Sequence, residues 1–108
     1  MELKEKSCIP CEGGVDPLTK AEVSDYLGKL KVGWKTADFK KIHKNYPFKD
    51  FKQAMDFANK VANIAESENH HPDMCVHYGS VDMEISTHAI GGLSENDFIL
   101  AAKIDDIS

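Results

Sequence analysis

The hydrophobic and polar positions of this chain change period several times, and each change marks an element. From Leu18 a helix is predicted: Thr19 is placed to cap the amide of Glu22, Glu22 can reach back, and Leu18 can staple against Val23. Val23, Tyr26, Leu27 and Leu30 then form one apolar stripe, with Gly33 as the expected stop. Between Trp34 and Phe48 the period shortens to that of two short strands about a turn near Ala37-Asp38. Ile42, Lys44, Tyr46 and Phe48 share one face and His43 and Asn45 the other, with Pro47 near the end, where a missing amide does little harm.

Asp50, with Gln53 three residues on, opens the longest helix. Phe51, Ala54, Met55, Ala58, Val61, Ala62 and Ala65 recur at helical spacing, and Phe57 and Ile64 widen the stripe. The helix must end before Pro72, which pushes His71 out of the helical region. Met74 to Thr87 reads as a β-hairpin about a Gly79-Ser80 loop, glycine first as in a type II′ turn, with Cys75 as a small buried filler. Val81, Met83, Ile85 and Thr87 should face the core, and Asp82, Glu84, Ser86 and His88 should face away. After Gly91-Gly92 a third helix begins, with Ser94 as cap, Asp97 at the third position and Leu93 stapling on Phe98. The order α-β-β-α-β-β-α predicts an α+β two-layer sandwich, a four-stranded antiparallel sheet with three helices on one face. Residues 1–17 read as a flexible N-terminal arm and residues 18–108 as a single domain.

Composition narrows the function. At 108 residues, with 42% hydrophobic and 29% charged positions, the chain fits one globular domain. A formal charge of −5, with lysine supplying all 13 basic residues, argues against nucleic acid or an anionic membrane as the partner, since no guanidinium fork is available. The charged N-terminus lacks the apolar core of a secretory signal, so a cytoplasmic protein is expected. Cys8-Ile9-Pro10-Cys11 has the C-x-x-C spacing, but no second cysteine pair completes a zinc site, and Glu12-Gly13-Gly14 follows where a redox motif wants a helix. Two reduced thiols on an arm are the simpler reading.

The candidate chemistry sits in Asn69-His70-His71-Pro72 together with Thr87-His88. Imidazole titrates near neutrality, so a cluster can hold a proton donor and a proton acceptor at once. If the hairpin returns beside the end of the long helix, His70, His71 and His88 line one pocket. A zinc site with Glu66 or Glu68 as base is the alternative, disfavoured because adjacent histidines in an extended segment point to opposite sides. His43 and His77 read as ordinary surface or sheet positions. Ordinary loop histidines remain the plain alternative for the cluster itself.

Glu66-Ser67-Glu68-Asn69-His70-His71-Pro72, Val81 to His88, and Gly91-Gly92-Leu93-Ser94 with Asp97 resemble the pterin-4a-carbinolamine dehydratase family, as do Gly33-Trp34 and Phe48-Lys49-Asp50-Phe51. The resemblance spans Leu18 to Ile107. It implies the same two-layer fold and the dehydration of 4a-hydroxytetrahydrobiopterin to quinonoid dihydropterin, which regenerates the cofactor of aromatic amino-acid hydroxylases. It implies no metal or organic cofactor. It also implies catalytic roles for His71, as principal acid/base, and for His70 and His88. Substrate contacts are implied for Glu66, Asp97 and Trp34, with Asn69, Ser86 and Thr87 offering hydrogen bonds to the pterin ring. Glu66 reads equally as a solvated residue of the last helical turn, Asp97 as a helix-start carboxylate and Trp34 as a core-edge residue. Ala89 departs from the polar or acidic residue that many members carry there. A protein-binding dimerisation cofactor that does not need catalysis is the competing function, and exposed strand edges lead us to expect a homodimer or homotetramer.

Overall fold

A computed structural model describes residues 2–9 and 16–108. The capping box of Thr19 and Glu22 forms as expected and starts helix α1, Lys20–Leu27. This helix is shorter than its apolar stripe suggested. It ends at Gly28, and Leu30 packs from the turn that follows. Gly33 does not stop the helix. It lies in the loop beyond with φ 117°, where a Cβ would come within 2.9 Å of the Lys44 side chain, so only glycine lets that lysine pass.

Strand β1 is Ile42–Pro47, helix α2 is Phe51–Glu68, strands β2 and β3 are Asp73–His77 and Ser80–Ile85, and helix α3 is Glu95–Ile107. The sheet is antiparallel with β3 in the centre, in the order β1-β3-β2. Ile42 lies opposite Ile85, Tyr46 opposite Val81, and Val76 opposite Val81 from the other side. Three strands form where four were predicted. The segment from Trp34 contributes one isolated bridge, Lys35 to His43. Side chains compete for its backbone: the Thr36 hydroxyl donates to the Lys41 carbonyl and accepts from the Phe39 amide, and Asp38 takes the Lys40 amide. Phe39 adopts φ 61°, which breaks extended geometry.

The hairpin turn also differs from expectation. His77 pairs with Ser80, so the two loop residues are Tyr78 and Gly79, neither with positive φ. That register leaves Tyr78 outside the sheet and lets the Gly79 carbonyl accept from the Phe48 amide at 2.8 Å. Cys75 is exposed on the outer face of edge strand β2, while Met74 and Val76 turn inward. The expected burial of this cysteine is thus corrected by strand alternation.

One sheet face is covered. Ile42, Tyr46, Val81, Met83 and Ile85 pack with Phe57 and Val61 of α2 and with Phe98, Leu100 and Ile104 of α3. Each such side chain contributes roughly 1.5–3 kcal/mol through removal from water. At one end of this core Asp105 is buried and accepts from Trp34 Nε1 at 2.9 Å, Lys44 Nζ at 2.8 Å and the Tyr46 hydroxyl at 2.6 Å. Burial, then the Asp105 carboxylate, pushes the Tyr46 phenol up from its ordinary pKa. This node explains why a lysine, Lys44, occupies an inward position of β1. Among the described residues no helix is long and apolar enough to cross a membrane.

Candidate functional site

The end of α2, the end of β3 and the start of α3 meet at one place. Asn69 closes α2 in the left-handed conformation, φ 52°, a role asparagine tolerates, and its amide returns to the Ala65 carbonyl. The reversal throws His70 and His71 off the helix end ahead of Pro72. Beyond β3, Thr87 bridges to Gly92, and His88 begins a short 3-10 turn that Gly91 ends at φ 67°. Gly92 is required by close approach, since a Cβ there would lie 2.6 Å from Pro17.

Asp97 joins these segments. It stands in the first turn of α3 and is completely buried. One carboxylate oxygen accepts from His70 Nε2 at 2.6 Å. The other accepts from the Thr87 hydroxyl and the Ser94 amide, each at 2.8 Å. The capping box expected at Ser94 is therefore present, and the same carboxylate also orients a histidine. His71 Nε2 meets Glu66 at 2.5 Å, with both side chains more than half exposed. His88 is exposed, and no side chain among the described residues holds its ring.

A cleft of about 550 Å³ opens here, and His70, His71 and His88 all line it, with Asn69, Ser86 and Thr87. Thr87 is buried, and its hydroxyl is committed to Asp97 and Ser94. The structure does not bring Glu66, Asp97 or Trp34 onto the cleft wall. Glu66 and Asp97 stand behind the histidines they hold, and the Trp34 indole is turned into the core toward Asp105. His43 and His77 lie on the exposed sheet face, His77 against Asp82 at 2.9 Å. Among the described residues no three His, Cys, Asp or Glu groups are set to hold a metal ion. A second concavity of about 520 Å³ lies between the N-terminal turn, α1 and α3. It contains no histidine; Lys4, Lys6 and Lys31 bond to Asp106, Glu95 and the Asp105 carbonyl, and Lys29 Nζ sits 5.0 Å from the centre of the Tyr26 ring.

Cys8, Ile9 and Asn96 also line the cleft, and no motif or periodicity announces them. The remainder of the Cys8-to-Cys11 motif lies outside the described residues. The Cys8 amide donates to Glu68 at 2.8 Å and its thiol to the Asn96 carbonyl at 3.6 Å. Burial, then the Glu68 carboxylate, pushes the Cys8 thiol from 9.0 up to about 12. The folded chain thus holds this proton more tightly than the unfolded chain. The associated stability is complete below the ordinary thiol range and is lost as pH rises toward 12. Because the thiolate is the nucleophile, alkylation at pH 8 is expected to label exposed Cys75 about tenfold faster than Cys8. Peptide mapping by mass spectrometry after timed iodoacetamide treatment checks this, and equal rates would contradict it.

The family model for pterin 4 alpha carbinolamine dehydratase matches residues 16–107. A Rickettsia canadensis protein named for pterin-4-alpha-carbinolamine dehydratase is 52% identical over 103 residues, covering 95% of this chain and 94% of its own. One from Nitrosomonas eutropha, named likewise, is 51% identical over 104 residues, covering 96% and 91%. Among solved structures, a transcriptional coactivator/pterin dehydratase from Brucella melitensis superposes with a TM-score of 0.79 at 34% identity, over 85% of this chain and 98% of that one.

Proposed function

The chain belongs to the pterin 4 alpha carbinolamine dehydratase family, and from that membership we propose that it removes water from a 4a-hydroxytetrahydropterin to give a quinonoid dihydropterin. The observation that carries the reading is the meeting of three imidazoles on one cleft, one of them fixed by a buried carboxylate.

In this reaction the C4a–O bond breaks as the hydroxyl takes up a proton, N5 gives up its proton, and the C4a=N5 bond forms. One acid and one base suffice, and neither a metal nor an organic cofactor is needed. His71 is the principal acid/base, and Glu66 orients its ring through Nε2. His70 commits its Nε2 proton to Asp97, so Nδ1 is the nitrogen left to accept or relay a proton. His88 positions the hydroxyl. Asn69 and Ser86 offer hydrogen bonds to the pterin edge, while Thr87 serves by holding Asp97. The product re-enters the cofactor cycle of aromatic amino-acid hydroxylases in the cytoplasm.

The purified chain is expected to speed the decay of freshly generated 4a-hydroxytetrahydrobiopterin by at least about 10²-fold at saturation, followed by ultraviolet absorbance. Decay at the spontaneous rate would overturn the reading. The Brucella neighbour is named both transcriptional coactivator and pterin dehydratase, which supports a second, protein-binding role as a coactivator. A His71→Ala chain that kept every cellular role would support it. The unpaired edge of β2 supports self-association into a dimer or tetramer.

A further inference from the structure

We propose that residues 2–9 form a strap that completes the cleft, with Ile9 as an apolar wall against the bound pterin and Asn96 as the positioning residue that fixes it there; this rests on the dehydratase reading. The strap precedes the family-matched segment 16–107. It is anchored along its length: Leu3 is buried against the core, Lys103 Nζ donates to the Lys4 carbonyl at 3.0 Å, and Glu68 accepts the Cys8 amide at 2.8 Å. At Ile9 the Asn96 carboxamide takes the place of a neighbouring strand. Its Oδ1 accepts the Ile9 amide at 3.0 Å, and its Nδ2 donates to the Ile9 carbonyl at 2.5 Å. Asn96 is itself 4% exposed, so this pairing is set inside the protein.

Ile9 is thus held by both main-chain groups, yet its residue remains 71% exposed at the cleft. Beyond the small side chains of Cys8 and Ala89 the rest of the wall is polar, with His70, His71, His88, Ser86 and Asn69. A reduced pterin has hydrogen-bonding edges and an apolar ring face, so polar walls suit its edges and Ile9 suits its face. Covering Ile9 removes apolar surface from water only when ligand is present, so it strengthens ground-state and transition-state binding alike.

The test uses the full chain with Ile9→Ala, Asn96→Ala and the double variant, reading dehydration kinetics and binding of 7,8-dihydrobiopterin by calorimetry. Ile9→Ala is expected to raise KM and Kd about five- to tenfold with kcat within twofold. Asn96→Ala should raise both at least as much, and the double variant should be no worse than Asn96→Ala, because the asparagine acts through the isoleucine. Wild-type affinity in Ile9→Ala would overturn the proposal, and additive effects in the double variant would overturn the role given to Asn96. Turnover by the wild-type chain in the same assay separates these outcomes from failure of the dehydratase reading, in which no chain would be active.

Discussion

His71→Ala is expected to lower kcat/KM for dehydration by about 10²–10⁴-fold, the share that positioned proton transfer supplies. The melting temperature should stay within a degree or two. The His71 ring and its Glu66 partner are both exposed, so removing the imidazole buries no unpaired group and opens no cavity. Stopped-flow absorbance on freshly generated substrate, paired with a thermal melt, reads both quantities. An unchanged rate would remove His71 from the chemistry. A rate lost together with the fold would show that the residue is structural.

Asp97 should behave in the opposite way and lose stability first. Its carboxylate accepts the His70 ring, the Thr87 hydroxyl and the Ser94 amide from a fully buried position. Asp97→Ala strands three donors, an expected cost of about 3 kcal/mol, or a fall in Tm of roughly 10–20 °C. Asp97→Asn is the informative partner. Its amide oxygen can keep the Thr87 and Ser94 contacts, but its NH₂ group then faces His70 Nε2. Only the other tautomer of His70 can accept that donor, so the ring nitrogen left for catalysis is inverted. Most of the stability should return, while kcat stays about 10²-fold or more below wild type. Recovery of both together would mean that Asp97 acts only as a helix cap.

Much of this architecture is written locally in the chain. Thr19 with Glu22, Asp50 with Gln53, and Ser94 with Asp97 start helices where their spacing says they should. The alternation of Val81, Met83 and Ile85 fixes which face of β3 is buried. Residue type and element order together predicted that His70, His71 and His88 would meet, and all three line one cleft. Other features rest on interactions that carry no periodicity. The Trp34 indole bonds to a carboxylate 71 positions away, and no local pattern announces that pairing. Thr36 and Asp38 offer their own backbone a local alternative to the sheet, which reduced an expected strand to one bridge. Ile9 belongs to the cleft through hydrogen bonds from an asparagine side chain, an arrangement with no periodicity to detect.

The most direct measurement is ¹⁵N–¹H spectroscopy of the five imidazole rings during titration with 7,8-dihydrobiopterin. His70, His71 and His88 should shift together along one binding curve, while His43 and His77, on the far face of the sheet, stay fixed. Shifts confined to His43 and His77, or a ligand that leaves all five rings unmoved, would contradict a pterin site at the end of α2.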